Sequence, residues 1–335
     1  MVFLSAIGIA KRASCVFFLL GMFGWEGGVN AACEPSPSER SQLKEGYFHL
    51  EAPLNKTIEH LGEFKIDGAY SGALIQSMAF DSVSCKWLAA VSTGRKPELI
   101  TILVFPPKAP YLSEQASRTS MNFSHPQDLS LSVKGGQAEI WLPDSKRKGV
   151  NRFEMDEDGS LVNIRNYRLS KNPVKGYFSA VSVDGNYLVT MGAVGKGGSS
   201  RQEVNVYRVS DLADLPDHGG VLPIYSWPLN EIQQDKAQWR QGLAVIGSTV
   251  FVLSGNAKRD QPKFIVSYKL EGGAIAVEEL PGANSNQLMT GRIRTYEPEG
   301  LEVIRHNGGL ALALGMAGGT KGQRSFDMWV VPLRK

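Results

Sequence analysis

The chain has 335 residues, 42% hydrophobic and 21% charged, a balance that belongs to a folded globular protein and excludes a disordered one. Its formal net charge of +3 is too small for an electrostatic nucleic-acid footprint, so no nucleic-acid partner is expected. The 36 glycines suit many tight turns better than long helices.

The N-terminus reads as a targeting segment. Lys11 and Arg12 give a positive start, Ala13 to Trp25 an apolar stretch, and Val29-Asn30-Ala31 the small residues of a cleavage site. The apolar run falls short of the roughly 20 residues that span a bilayer, and no later stretch is long and apolar enough either. Residues 1–31 are therefore expected to be a signal peptide cleaved near Ala31, which sends the mature chain to the periplasm or the exterior without a membrane span. An uncleaved anchor is the alternative. Residues 32–44, rich in Pro and Ser, read as a polar leader, and 45–335 as a single domain.

Removal of Cys15 leaves Cys33 and Cys85. In an oxidising compartment one disulfide between them is the simple expectation. The alternative is a lipidated Cys33 and a buried Cys85, although Asn30 stands where a lipoprotein signal needs an apolar residue. Two cysteines cannot hold zinc alone, and no His-rich spacing completes a site, so neither a metal nor a cofactor is expected.

Tyr47 to Glu51 and Phe64 to Ile66 read as short strands, and five repeats follow. Their leading residues are Gln76, Gln127, Phe178, Gln241 and Glu299, at intervals of about 50 to 60 residues. Each repeat is a strand, a tight turn, a strand, a longer polar loop and a strand. The turns include Asp184-Gly185 and Asn307-Gly308, which are strong hairpin signals. No run has the period of a long amphipathic helix; Leu212 to Asp217 and Glu231 to Trp239 are at most short turns. Hairpin units of this length repeated five times indicate an all-β fold, a five-bladed β-propeller. A β-sandwich is the alternative, but its turn signals come at shorter, unrelated intervals. The fifth repeat has only three strands before Lys335, so an N-terminal strand is expected to complete the last blade and cover its edge.

In a propeller the first strand of each blade lines the axis and its leading residue lies at one mouth. The residues expected to converge there as a ligand-binding set are Gln76, His125, Gln127, Asp128, Tyr177, Arg240, Gln241, Glu297 and Glu299. The plain alternative is that these polar groups only satisfy neighbouring backbone and channel water. Pro298 separates Glu297 from Glu299, and strand alternation lets both acids face one side. One carboxylate could then raise the pKa of the other, giving an acid/base pair with Arg240 on an anion. The sequence contains no His-Glu-x-x-His, no Gly-x-Ser-x-Gly and no EF-hand loop.

Several stretches carry a resemblance: Gln241-Gly-Leu-Ala-Val, Glu297-Pro-Glu-Gly-Leu-Glu302, Leu314-Gly-Met-Ala-Gly-Gly, and His125-Pro-Gln-Asp-Leu-Ser130 with Ile140-Trp141-Leu142. Across roughly residues 70 to 335 they resemble the propeller of the teichoic-acid-biosynthesis-protein-C-like and phage receptor-binding-protein group. That resemblance implies a five-bladed propeller and, through the phage members, machinery that engages cell-wall glycopolymers. The expected function is an exported, monomeric propeller that binds a cell-envelope or extracellular polysaccharide at its channel mouth. The alternative is a secreted hydrolase of a glycosidic or phosphate ester bond, with Glu297 and Glu299 as acid and base.

Overall fold

Strands whose side chains are apolar on both faces must be covered on both sides, and this chain meets that demand by stacking small sheets around an axis. The computed structural model describes residues 43, 46–64, 74–92, 100–105, 128–144, 149–156, 160–169, 175–194, 201–213, 220–229, 240–258, 261–281, 296–320 and 323–335. Two N-terminal strands, β1 (His49–Leu50) and β2 (Glu59–Phe64), flank a single helical turn, α1 (Leu54–Thr57). Blade 1 is β3 (Leu74–Asp81), β4 (Lys86–Ser92) and β5 (Ile100–Phe105). Blade 2 is β6 (Ser130–Lys134), β7 (Gln137–Asp144), β8 (Gly149–Met155) and β9 (Leu161–Arg168). Blade 3 is β10 (Lys175–Val181), β11 (Tyr187–Val194), β12 (Arg201–Arg208) and β13 (Tyr225–Pro228), with the short helix α2 (Val209–Ala213) after β12. Blade 4 is β14 (Arg240–Ile246), β15 (Thr249–Ser254), β16 (Phe264–Lys269) and β17 (Ala274–Glu279). Blade 5 is β18 (Tyr296–His306), β19 (Gly309–Thr320) and β20 (Gln323–Arg334), extended at its outer edge by β1 and β2.

All five sheets are antiparallel meanders, and their first strands contact one another in the order β3, β6, β10, β14, β18 and back to β3. The chain is a five-bladed β-propeller. Blade 4 shows why its sequence requires neighbours on both sides. Phe251 and Leu253 join a cluster with Leu301 and Val303 of blade 5, while Val250 and Val252 join one with Val189, Val204 and Val206 of blade 3. Each of these four β15 side chains is fully buried, so the alternation is apolar against apolar rather than apolar against polar.

The outer strands β9 and β17 were not part of the repeat read from sequence. They are mostly half-buried or exposed, and residues such as Arg165, Glu278 and Glu279 interrupt any apolar alternation. Blade 5 obtains its outer strands from the N-terminus, as the repeat count requires. Leu50 pairs with Leu333 and Phe64 with Phe326. The second N-terminal strand begins at Glu59 rather than Phe64, while Ile66 lies outside the described residues. Two pairs across the seam reinforce the register: His60 Nε2 lies 3.1 Å from Asp327 Oδ1, and His306 Nε2 lies 3.0 Å from Glu59 Oε2.

Phe64 extends the seam into blade 1. Its ring stands edge-on to Trp87, Phe105 and Phe326, with centroids 6.0, 5.3 and 6.0 Å away. Cys85, in the β3–β4 turn, is disulfide-bonded. Cys33, the proposed signal peptide and the leader lie outside the described residues. Among the described residues no helix is long and apolar enough to cross a membrane.

Ring closure brings backbones together at the axis. A Cβ at Gly242 of β14 would lie 3.0 Å from the carbonyl carbon of Gly300, and one at Gly300 would lie 3.2 Å from Ser77 Cα of β3. Gly300 also has φ +86°, a conformation that L side chains rarely adopt. Two substitutions test this closure. Phe64→Ala is expected to lower stability by about 3 to 5 kcal/mol, because it empties a site that joins two blades. Gly300→Ala is expected to lower it by about 1 to 3 kcal/mol through strain at positive φ and crowding against Ser77. Both are read as lower denaturant midpoints at unchanged slope.

Candidate binding site at the channel mouth

The leading residues singled out in the sequence sit where the inner strands depart from regular pairing. Register breaks fall between Ile75 and Ser77, Lys175 and Phe178, Arg240 and Gly242, and Pro298 and Leu301. Gln76, Tyr177, Gln241 and Glu299 therefore lie in bulges at one level of the ring. A bulge ends regular pairing and re-aims the extra side chain. In blade 2 the corresponding irregularity lies just before β6, where Asp128 has φ +76°. Asp is among the few residues that tolerate this conformation.

These bulged side chains point inward rather than onto an open surface: Gln76, Asp128, Tyr177, Gln241 and Glu299 are all buried. Arg240 and Glu297 keep partial contact with solvent. Two expected site residues meet directly, since Gln241 Nε2 donates a 2.8 Å hydrogen bond to Glu297 Oε1 and ties blade 4 to blade 5. Glu299 follows Pro298 at the start of the bulge, so strand alternation alone does not place it beside Glu297. Burial lowers the pKa of Arg240, and the Tyr268 phenol on the same blade opposes that shift. Burial raises the Tyr177 hydroxyl well above its usual range, and Tyr207 and Asp144 push in the same direction. His125 and Gln127 lie outside the described residues.

Asp128 occupies the most informative position. Its electrostatic neighbours are the Leu243 N–H of β14 and the Glu302 carboxyl of β18. In the ring, β6 has β3 and β10 beside it, so a residue leading into β6 meets β14 and β18 only by reaching across the axis. Burial raises the Asp128 carboxyl well above the usual range; the Leu243 N–H opposes this and Glu302 adds to it. Burial likewise raises Glu302, with the Val303 N–H opposing. Glu302 as a residue is half-buried.

Glu302 was absent from the set expected from sequence. The usable signal is local: it is an acid between Leu301 and Val303-Ile304, in a first strand otherwise committed to packing on its neighbours. Among the described residues no three His, Cys, Asp or Glu side chains form a metal-binding group.

No family model matches the chain, and no curated protein matches it in sequence. Among solved structures the propeller is similar to the tail fiber of Staphylococcus aureus phage P68. The TM-score is 0.62 at 19% identity, over 84% of this chain and 54% of that one. The chain thus spans about half the fiber chain's length, and the likeness shows the fold. Two weaker likenesses carry no argument about this chain. One is to RS223-Beta-xylosidase, with TM-score 0.44 and 10% identity over 82% of this chain and 94% of that one. The other is to a subtype N11 neuraminidase-like protein of A/flat-faced bat/Peru/033/2010, with TM-score 0.41 and 7% identity over 86% of this chain and 94% of that one.

Proposed function

We propose that this chain is an exported binding propeller that engages a cell-envelope or extracellular glycopolymer at its channel mouth. The observation that carries the proposal is the likeness to a phage tail fiber across 84% of the chain. The residues at the mouth are consistent with it. Glu297, which keeps partial contact with solvent and is held across two blades by the buried Gln241 carboxamide, presents acceptors in a fixed arrangement that suits sugar hydroxyls. Holding those side chains before the ligand arrives reduces the ordering that binding requires.

The resemblance of the stretch from Glu297 to Glu302 to the teichoic-acid-biosynthesis-protein-C-like group supports a cell-wall glycopolymer as the ligand class. The positive, apolar and small-residue segments over residues 1–31 support export to the periplasm or beyond. We read the working form as a monomer.

The hydrolytic alternative draws less support. It needs Arg240 on an anion beside Glu297 and Glu299, and the Glu297 carboxylate already accepts a hydrogen bond from Gln241. Purified wall teichoic acid and a panel of neutral polysaccharides, titrated calorimetrically, test the proposal. At least one polymer is expected to bind, and Gln241→Ala to weaken it roughly tenfold by releasing Glu297 from its fixed position. Absence of binding across the panel by a folded wild-type protein would contradict the proposal. Release of sugar or phosphate that Glu299→Gln abolishes would favour the hydrolase instead.

A further inference from the structure

Five first strands face the axis, and each is the inner edge of its sheet. Half of their backbone N–H and C=O groups therefore point inward without a strand partner. Into this ring the chain places two carboxyl groups from opposite sides, Asp128 ahead of β6 and Glu302 on β18, close enough to interact electrostatically. Asp128 is only 1% exposed, and among the described residues neither of its carboxylate oxygens closes a hydrogen bond. The Leu243 N–H is turned toward the group without forming a well-aligned bond. A backbone conformation at φ +76° holds the side chain there. Gln241, two residues before Leu243, adds a buried amide oxygen that has no partner among the described residues.

A buried carboxyl without a partner is costly, and two that face each other are costlier. From this geometry we infer that the axis of the propeller binds a hard divalent cation of the calcium type between the Asp128 and Glu302 carboxylates. The set suits calcium and not zinc. It offers oxygen only, two of the donors are carboxylates, and inward main-chain carbonyls and water complete a flexible shell. With no third acidic or histidine side chain joining the pair among the described residues, the shell depends on those carbonyls. The site shares Gln241 with the glycopolymer proposal but does not rest on that reading, and its test needs no polymer.

Without a cation the sign of the pH dependence is fixed. Burial raises both carboxyls in the folded state, so the folded chain holds protons that the unfolded chain has released. Stability is then greatest below the ordinary carboxyl pKa of about 4 and falls as pH rises toward the raised values. A cation that binds the ionised pair removes this fall. Thermal unfolding in EDTA is therefore expected to show a declining Tm from pH 5 to pH 8. Calcium chloride in place of EDTA is expected to raise Tm by about 5 °C at pH 8, with little effect at pH 5. Equilibrium dialysis should find one calcium per chain.

Asp128→Asn keeps the side-chain shape and tolerates positive φ. It is expected to abolish the calcium increment and the bound metal. Glu302→Gln is expected to weaken calcium at least tenfold. A wild-type protein that binds no calcium and shows no calcium-dependent Tm at pH 8, while Asp128→Asn raises Tm by itself, overturns the inference and leaves a protonated acid pair. Should Asp128→Asn fail to fold, wild-type metal content and the response of Glu302→Gln decide the matter.

Discussion

Closing five sheets into a ring forces their first strands to meet backbone to backbone at the axis. Most of what is unusual in this chain follows from that crowding. Gly242 and Gly300 carry no side chain because the neighbouring main chain lies 3.0 to 3.2 Å from where a Cβ would sit. The inner strands of blades 1, 3, 4 and 5 bulge at one level, and blade 2 answers with a left-handed Asp128. Regular pleats cannot taper toward an axis; bulges increase local twist and let each strand turn away from its neighbour. The polar side chains gathered there are the ones those bulges re-aim.

The same constraint explains the seam. A ring has no free blade, so the last sheet must finish with strands from elsewhere in the chain. It takes β1 and β2 from the N-terminus, which also removes an exposed edge. Phe64, among three aromatic rings from two blades, makes that closure part of the core rather than an appendage. Closure and site are thus linked through β18, which carries Glu297, Glu299 and Glu302 and packs against both β14 and β3.

The fold was legible in the sequence where local chemistry suffices. Val250-Phe-Val-Leu253 could only be a strand buried on both faces, and Asn307-Gly308, with φ of +49° and +79°, could only be a tight turn. The outer strands β9 and β17 were missed because solvent removes the apolar pattern from one face. At the site, the inner positions of Gln76, Gln241 and Glu299 were found through their recurrence. Their re-aiming by bulges was not, since a bulge depends on the partner strand. The approach of Asp128 to Glu302 was beyond reach, because it exists only once β6 and β18 face each other across the axis.

Native-state hydrogen exchange on amides paired within the two sheets at the junction of blades 5 and 1 tests the ring most directly. Ala313, between Glu302 and Val330, and Ala89, between Met78 and Leu103, lie on the central strands and are the informative positions. In a closed ring neither blade opens alone, so both amides should exchange with one opening free energy that equals global stability. Exchange of Ala313 through a lower-energy opening that leaves Ala89 protected would contradict it, showing blade 5 to be a separable unit and the axis an open cleft.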